Sequence, residues 1–370
     1  MKRLDIVQNV ENISNVRDQR ILVNSAIQTA LDRLFSYHDF PYYLQEGTIK
    51  TADDYSTGTV AITALDTTAT ITTGVVSAYW VGRKIRFSGD NPYYRIKSVD
   101  TGLNTITLQD PYQGSTLTTG TYQVYQDEYR LAPDVDKYKT LRQIQNAISL
   151  ISLHPTKFDE RVPAPSSLSD PAFEIMSGTK LDVYTTGTVS TSGNTITGVS
   201  TDWLNVEGLG RMSNLRIGTN VYTVKSVDSG TQITTYEILV NASGATYEII
   251  LNNLCVQLYQ IPDAQRLLYY RYFRIPALLA NDYDIPDMPH EWHWVLQYGA
   301  LSIVLMQKGD LAKAQQEAEV RFLDGLERMK LKLGSFTPDR SWKRKSIDRS
   351  SRGDFGDGLE ESKFGARYSI

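Results

Sequence analysis

The chain has 370 residues, enough for two or three domains of ordinary size. Hydrophobic residues make up 41% and charged residues 22%, close to ordinary globular usage, which excludes global disorder. The 38 basic side chains stand against 42 acidic ones, a net charge of −4, and this argues against a dedicated nucleic-acid binder with its strongly basic excess.

After the charges of Met1-Lys2-Arg3-Leu4-Asp5 no apolar stretch follows, so no signal peptide is expected. No run approaches the ~18 apolar residues that span a bilayer. The expectation is synthesis in the cytosol and no membrane insertion. A first helix is predicted over 15–36, because Val23, Ile27, Ala30, Leu31 and Leu34 form one apolar stripe. An aromatic cluster, Tyr37, Phe40, Tyr42 and Tyr43, follows it around Pro41. Residues 1–54 therefore read as an N-terminal helical segment.

The middle of the chain is organised by a repeat. Residues 55–65 read YSTGTVAITAL and residues 184–194 read YTTGTVSTSGN. Arg95-Ile96-Lys97-Ser98-Val99-Asp100-Thr101-Gly102 is echoed by Thr223-Val224-Lys225-Ser226-Val227-Asp228-Ser229-Gly230. The offset is 129 positions from Gly58 to Gly187 and 128 from Lys97 to Lys225. Between these anchors, 82–87 (GRKIRF) lines up with 211–217 (RMSNLRI). Both copies are rich in Thr, Val, Ile and Tyr with period-two runs, which predicts short strands in a small barrel or sandwich. Asp100-Thr101-Gly102 and Asp228-Ser229-Gly230 are expected to be hairpin turns with glycine at positive φ. The first β module is placed at 55–127, a connector at 128–182 and the second module at 183–251. Trp80 and Trp203 fall at corresponding points; each is expected to plug its module's core, the alternative being a sugar-stacking platform.

A core strand and C-terminal helices are assigned to 252–334. Cys255, the one cysteine, lies in the apolar run 254–258 and reads as a buried structural thiol, so no intrachain disulfide can form. Pro286 and Pro289 precede a helix over 290–308 with a stripe of Trp292, Val295, Leu296, Gly299, Ile303 and Met306. Gly309-Asp310 breaks it, with Asp310 placed to cap a second helix carrying Leu311, Ala314, Ala318, Phe322, Leu326, Met329 and Leu333, which stops at Gly334. The two are expected to pack as an antiparallel hairpin. Residues 335–370 have too little apolar content for a core of their own and read as an extended tail. Its basic stretch and aromatics, Trp342, Lys343, Arg344, Lys345, Phe355, Phe364 and Tyr368, are spaced to dock on a neighbour, the alternative being a solvated tail.

No catalytic, cofactor or metal site is expected. His290-Glu291-Trp292-His293 has i, i+3 spacing, whereas a zinc protease needs HExxH on one helix face. His38 and His154 have no acidic or thiol neighbour in sequence. No GxSxG elbow, Walker loop or dinucleotide-binding glycine fingerprint is present. Nothing singles out a carboxylate pair of the kind glycoside hydrolysis uses.

Several segments resemble phage head-to-tail connector (adaptor) proteins. They are Asn24 to Leu34 with Phe40-Pro41-Tyr42-Tyr43-Leu44, Tyr129-Arg130-Leu131-Ala132-Pro133-Asp134-Val135, and Ser169-Asp170-Pro171-Ala172-Phe173-Glu174. The fullest is Tyr269 to Leu279 running into Asp282 to His293, followed by Gly299-Ala300 and Gly309-Asp310. Ala132 intrudes before the proline of the family's Y-x-L-P-x-D segment, and 169–174 matches G-x-P-x-x-Y imperfectly. The resemblance runs in order over most of 20–333. It implies a structural virion protein at the head-tail interface: a twelvefold ring of identical subunits below the portal protein, above tail or nozzle proteins. Genomic DNA would pass through without specific binding. The implied fold is α+β: a helical core, formed by the N-terminal helix and the C-terminal antiparallel hairpin, with two homologous all-β barrel- or sandwich-like insertions and an extended tail. The alternatives are a phage tail or surface protein whose β modules recognise glycan or another virion protein, and a polysaccharide-degrading enzyme.

Overall fold

A computed structural model describes residues 1–15, 20–90, 92–145, 148–162 and 168–333. The chain is mixed α+β and sheet-rich, and it divides into two compact units: Met1–Tyr43 with the chain from Pro276 onward, and Leu44–Ile275. Among the described residues the helices are α1 (Arg3–Ser14), α2 (Arg20–Tyr37), α3 (Pro155–Arg161), α4 (His293–Lys308), α5 (Leu311–Lys313) and α6 (Val320–Leu333). A wider-wound stretch, Ala314–Glu319, joins α5 to α6.

The first unit is helical. The predicted first helix is present as α2, described from Arg20 to Tyr37, and a separate α1 precedes it. That helix buries Ile6, Val7 and Val10, and the Arg3 guanidinium donates to the Ala280 carbonyl at 2.6 Å. Close packing depends on Gly299 of α4. A Cβ there would stand 2.8 Å from the Phe322 ring and 3.0 Å from Ala30 Cβ, so α2, α4 and α6 meet over a bare backbone. Glu319 accepts hydrogen bonds from Arg33 and from the Ser302 hydroxyl. Gly309 ends α4 in the left-handed conformation at φ 87°, and the Asp310 carboxylate accepts from the Lys313 N–H, as its position predicts.

The second unit holds three sheets. A four-stranded sheet pairs Leu44–Lys50 with Leu267–Arg274, then Val135–Gln143, then Ile148–Ser149. Sequence reading placed these strands in three stretches, the N-terminal helical segment 1–54, the connector 128–182 and the core strand of 252–334, and here they pair in one sheet. Leu268, Tyr270 and Tyr272 are buried at period two, a strand signature that a run of aromatics hides.

The other two sheets follow the same pairing circuit. In the seven-stranded sheet Thr59–Ile62 pairs with Thr68–Thr73, then Thr105–Leu108, Tyr93–Asp100, Lys84–Phe87 and Tyr122–Tyr125, with Leu117–Gly120 on the other side of the first strand. In the ten-stranded sheet the order is Thr188–Ser192, Thr195–Val199, Gln232–Thr235, Asn220–Ser229, Asn214–Ile217, Tyr247–Tyr259, Phe173–Tyr184 and Ile151–Ser152, with Ala242–Ala245 beside the first strand and Glu128–Arg130 also on Tyr247–Tyr259. Both circuits carry a bulge at the lysine of the KSVD repeat, between Ile96 and Ser98 and between Val224 and Ser226.

The expected positive φ at Gly102 and Gly230 is absent. Asp100 Oδ1 accepts the N–H groups of Gly102 and Leu103, and the left-handed residue is Asn104 at φ 53°. The aspartate side chain thus shapes the turn, and asparagine tolerates the left-handed region.

The glycine that does need its freedom is the one in the TGTV repeat. Gly58 sits at φ 105° and a Cβ would meet the Thr73 carbonyl oxygen at 1.7 Å; Gly187 sits at φ 87° with the Val199 oxygen at 2.4 Å. Gly193, also left-handed at φ 62°, has open space around it. Gly58→Ala and Gly187→Ala are each expected to cost about 1–3 kcal/mol. Gly193→Ala should cost clearly less, and urea unfolding of the three variants makes the comparison.

Candidate interaction surfaces

Each circuit closes on the same aromatic trio. Tyr55, Trp80 and Tyr122 pack with ring centroids 5.0–6.3 Å apart, and Tyr184, Trp203 and Tyr247 follow the same plan. Tyr122 donates to the Thr57 carbonyl at 2.9 Å and Tyr247 to the equivalent Thr186 carbonyl at 2.6 Å. Trp203 Nε1 donates to the Tyr247 hydroxyl at 3.0 Å. Trp80 is 3% exposed and Trp203 1%, so both plug cores and neither offers a face for sugar stacking.

The residues beside the plugs behave differently. Tyr79 is 68% exposed and Leu204 65%, and both border an open cleft of about 640 Å³. Lys50, Asp53, Asp54, Arg83, Arg130 and Glu207 supply its charges. Corresponding short turns of the two circuits, Ala78–Trp80 and Trp203–Asn205, thus face one cleft.

Beneath the surface lies a buried ion network. Lys84 Nζ contacts Asp127 at 2.8 Å and Glu128 at 3.1 Å, and Arg95 grips Glu128 with both Nη atoms at 3.1 and 3.0 Å. Gln257 on the long strand Tyr247–Tyr259 donates to Asp127 at 2.8 Å. Burial alone would raise the Glu128 pKa, but the Arg95 hydrogen bonds and the Lys84 charge override it and bring it down to about 2. Burial likewise works against the Lys84 charge, and the two carboxylates outweigh it to raise its pKa. Sequence reading missed this network because Lys84 and Arg95 lie some thirty to forty residues from their partners. The adjacent acids Asp127-Glu128, at the end of a strand-rich stretch, were the one available signal.

Two further carboxylates are buried. Asp134 accepts from the Tyr272 hydroxyl at 3.0 Å and pairs with Arg211 at 3.4 Å; burial raises its pKa against those partners. Glu174 is 2% exposed with the Tyr138 hydroxyl as its side-chain partner, and burial pushes it up to about 7.

Cys255 is buried in its strand, as expected. His293 is buried with Nε2 3.0 Å from the Met288 carbonyl, a core histidine whose pKa burial lowers. Among the described residues no group of three or more His, Cys, Asp or Glu is disposed to hold a metal, and no helix is long and apolar enough to cross a membrane. The tail residues Trp342, Lys343, Arg344, Lys345, Phe355, Phe364 and Tyr368 lie outside the described residues.

Comparison with known proteins gives a family likeness. Residues 171–344, just under half of the chain, match the family model described as SU10 adaptor protein. This agrees with the phage head-to-tail adaptor resemblance of the sequence. No curated protein matches the chain. Among solved structures it is similar to translation elongation factor SelB from Methanococcus maripaludis in its apo form, at 12% identity, over 60% of this chain and 63% of that one. The TM-score is 0.15, too low to carry an argument.

The matched stretch opens at Pro171, three residues before Glu174, and takes in the second circuit, Leu267–Arg274 and α4 to α6. Glu174 gives it a signature in pH. Its pKa in the folded protein lies above the ordinary 4.5, so the folded state holds this proton more tightly than the unfolded chain. Stability from this residue is therefore fullest below about pH 4.5 and falls as pH rises to about 7. Glu174→Gln is expected to remove that fall and to stabilise at neutral pH, on the order of 1–3 kcal/mol in urea titrations run across this range. Lys84→Ala, which strands Asp127 in the interior, should destabilise by about 3–5 kcal/mol, measured by the same unfolding assay.

Proposed function

We propose that this protein is a head-to-tail adaptor of a tailed bacteriophage: a structural, non-enzymatic virion protein that forms a dodecameric ring beneath the portal, joins capsid to tail and lets DNA pass. The observation that carries the reading is the SU10 adaptor match over 171–344. The ordered motifs of the resemblance, which continue N-terminal of that match to residue 20, support it. Ring subunits meet through heterologous contacts that close by rotation. The near-neutral charge suits a conduit, because each phosphate neutralised by Lys or Arg would add affinity for the passing DNA.

Within this reading the chain has a core of 1–54, 128–182 and 252–334, two duplicated β modules at 55–127 and 183–251, and a tail from 335. Identical pairing circuits, equivalent glycines and matching aromatic trios support the duplication. An antiparallel hairpin of α4 with α5 to α6 is supported by descending contacts: Val295 with Gly325, Gly299 with Phe322, and Ser302 with Glu319. The tail, through Trp342, Lys343, Arg344, Lys345, Phe355, Phe364 and Tyr368, docks on the portal or a neighbouring subunit and orders as it binds. The modules extend the ring outward towards other virion parts.

A second reading, a binding protein of the phage tail or surface, is favoured by the cleft bordered by Tyr79 and Leu204. It calls for a virion protein as ligand more than a glycan, since both tryptophans are buried. Light scattering of the purified chain, alone and with its cognate portal ring, separates the two. The adaptor reading expects a stable complex of twelve chains on the portal ring. A chain that remains monomeric and never binds the portal overturns it.

A further inference from the structure

The outward face of the four-stranded sheet concentrates basic side chains. Ile49, Leu141, Leu268 and Tyr270 belong to the core, so the residues that alternate with them point away from it. The register stacks these outward residues in three successive rungs. Lys50 lies beside Leu267, then Thr48 beside Tyr269 and Arg142, then Glu46 beside Arg271 and Thr140. Thr48, Lys50, Thr140 and Arg271 are exposed, and the Arg271 side chain keeps 53% of its surface in water. Lys137 and Lys139, both exposed, continue the basic character beyond Arg271, next to the exposed Asp136. Each of these two lysines is already engaged, Lys139 over the Phe273 ring at 4.9 Å.

Carboxylates are scarce on the three rungs. Glu46 is the one acid among their outward positions, and two cations share it, Arg142 at 2.5 Å and Arg271 at 3.7 Å. Lys50 makes no ion pair among the described residues. Asp53 and Asp54, which border the cleft with Lys50, follow the strand and are not part of the sheet. Three cations therefore stand against one carboxylate on a flat, water-facing surface. The whole-chain charge of −4 hides this local excess. Its centre, Arg142, Tyr269 and Arg271, is charged and hydroxyl-bearing, whereas the centre of a protein–protein interface is apolar and depleted of charge.

We propose that this face is a contact for the phosphodiester backbone of DNA, in which Arg271, Arg142 and Lys50 supply the charge and the Thr48, Thr140 and Tyr269 hydroxyls supply hydrogen bonds. Guanidinium forks match phosphate oxygens in pairs, and threonine and tyrosine hydroxyls are ordinary phosphate partners. Backbone contacts carry no sequence information, so binding is independent of sequence. Few cations take part, which keeps the contact weak and salt-sensitive and lets DNA slide along it. The backbone has two sources with one chemistry, a duplex or a single strand. The choice of DNA as the polyanion rests on the adaptor reading, but the contact is tested without a portal, so the two fail separately.

The test titrates the full-length chain into a short labelled duplex and a single strand of the same length, read by fluorescence anisotropy across a salt series. Arg271→Gln is expected to weaken binding severalfold at low salt and to reduce the slope of log affinity against log salt by about 0.9. Glu46→Gln, which releases both arginines, is expected to tighten binding. Lys97→Gln removes the same charge from an exposed site of the first circuit and is expected to match wild type. Tighter binding of the duplex assigns the duplex as the source, and tighter binding of the single strand assigns that strand. The basic tail adds a background common to all variants, so lysine acylation of the wild-type chain, mapped by mass spectrometry, locates the contact. DNA is expected to protect Lys50 and Lys139 and to leave Lys97 unchanged. Should Arg271→Gln fail to fold, Glu46→Gln and the wild-type map still decide. Protection confined to Lys343 and Lys345, equal behaviour of folded Arg271→Gln and Lys97→Gln, or stronger protection by polyglutamate than by DNA overturns the proposal.

Discussion

One strand, Tyr247–Tyr259, belongs to two hydrophobic cores, and the architecture of the second unit depends on it. Its first half contributes Tyr247, Ile249 and Leu251 to the core around Trp203. Its second half contributes Val256 and Leu258 to the core of the four-stranded sheet. The buried positions change parity between Cys255 and Val256, both of which are buried. A regular strand keeps one face inward, and a one-residue slip would turn every side chain over. The Ser177 bulge on the partner strand sits at the residues where that parity changes. The inserted residue lets the ladder bend there, so that one continuous strand serves a core on each side.

Two circuits with one plan are anchored by different chemistry. The second needs no special tie, since its last strand is the long strand itself. Arg211 strengthens it, donating to Tyr236, to the Ile275 carbonyl and to Asp134. The first circuit ends at Tyr125, and the chain meets the long strand just beyond it, where Glu128–Arg130 pairs with Cys255, Val256 and Gln257. There the buried Lys84 joins its sheet to Asp127, which Gln257 also holds. Lys84 has no counterpart in the second circuit, where the fourth-strand register places Asn214, facing Ile250. The repeat thus preserves what folds each circuit, namely the TGTV glycine, the bulge at the lysine and the aromatic trio. It leaves free what attaches each circuit to the rest.

This division explains what could be read in the sequence. The repeated elements are local, a turn glycine with its neighbours or a strand with its alternation, so the duplication and both tryptophan plugs were visible. The stripe Val23, Ile27, Ala30, Leu31, Leu34 was visible for the same reason, because helical periodicity is written within a few turns. α1 was written as well, in the spacing of Ile6, Val7 and Val10, but charged neighbours dominate that stretch and mask it. The four-stranded sheet was hidden by sequence distance: Leu44–Lys50 pairs with a strand more than two hundred residues away, and nothing local marks the register. The ion network was hidden for that reason too. Lys84 on its strand looks like any solvated lysine until the fold brings two carboxylates beside it.

Charge placement sets the interior of the second unit apart from its surface. Exposed pairs such as Arg142 with Glu46 contribute little, because water and salt screen them. Buried ones cost desolvation on formation and far more on disruption, so they act as constraints on which strands can be neighbours rather than as sources of stability. Lys84, Asp127, Glu128 and Arg95 satisfy one another, and Arg211 satisfies Asp134.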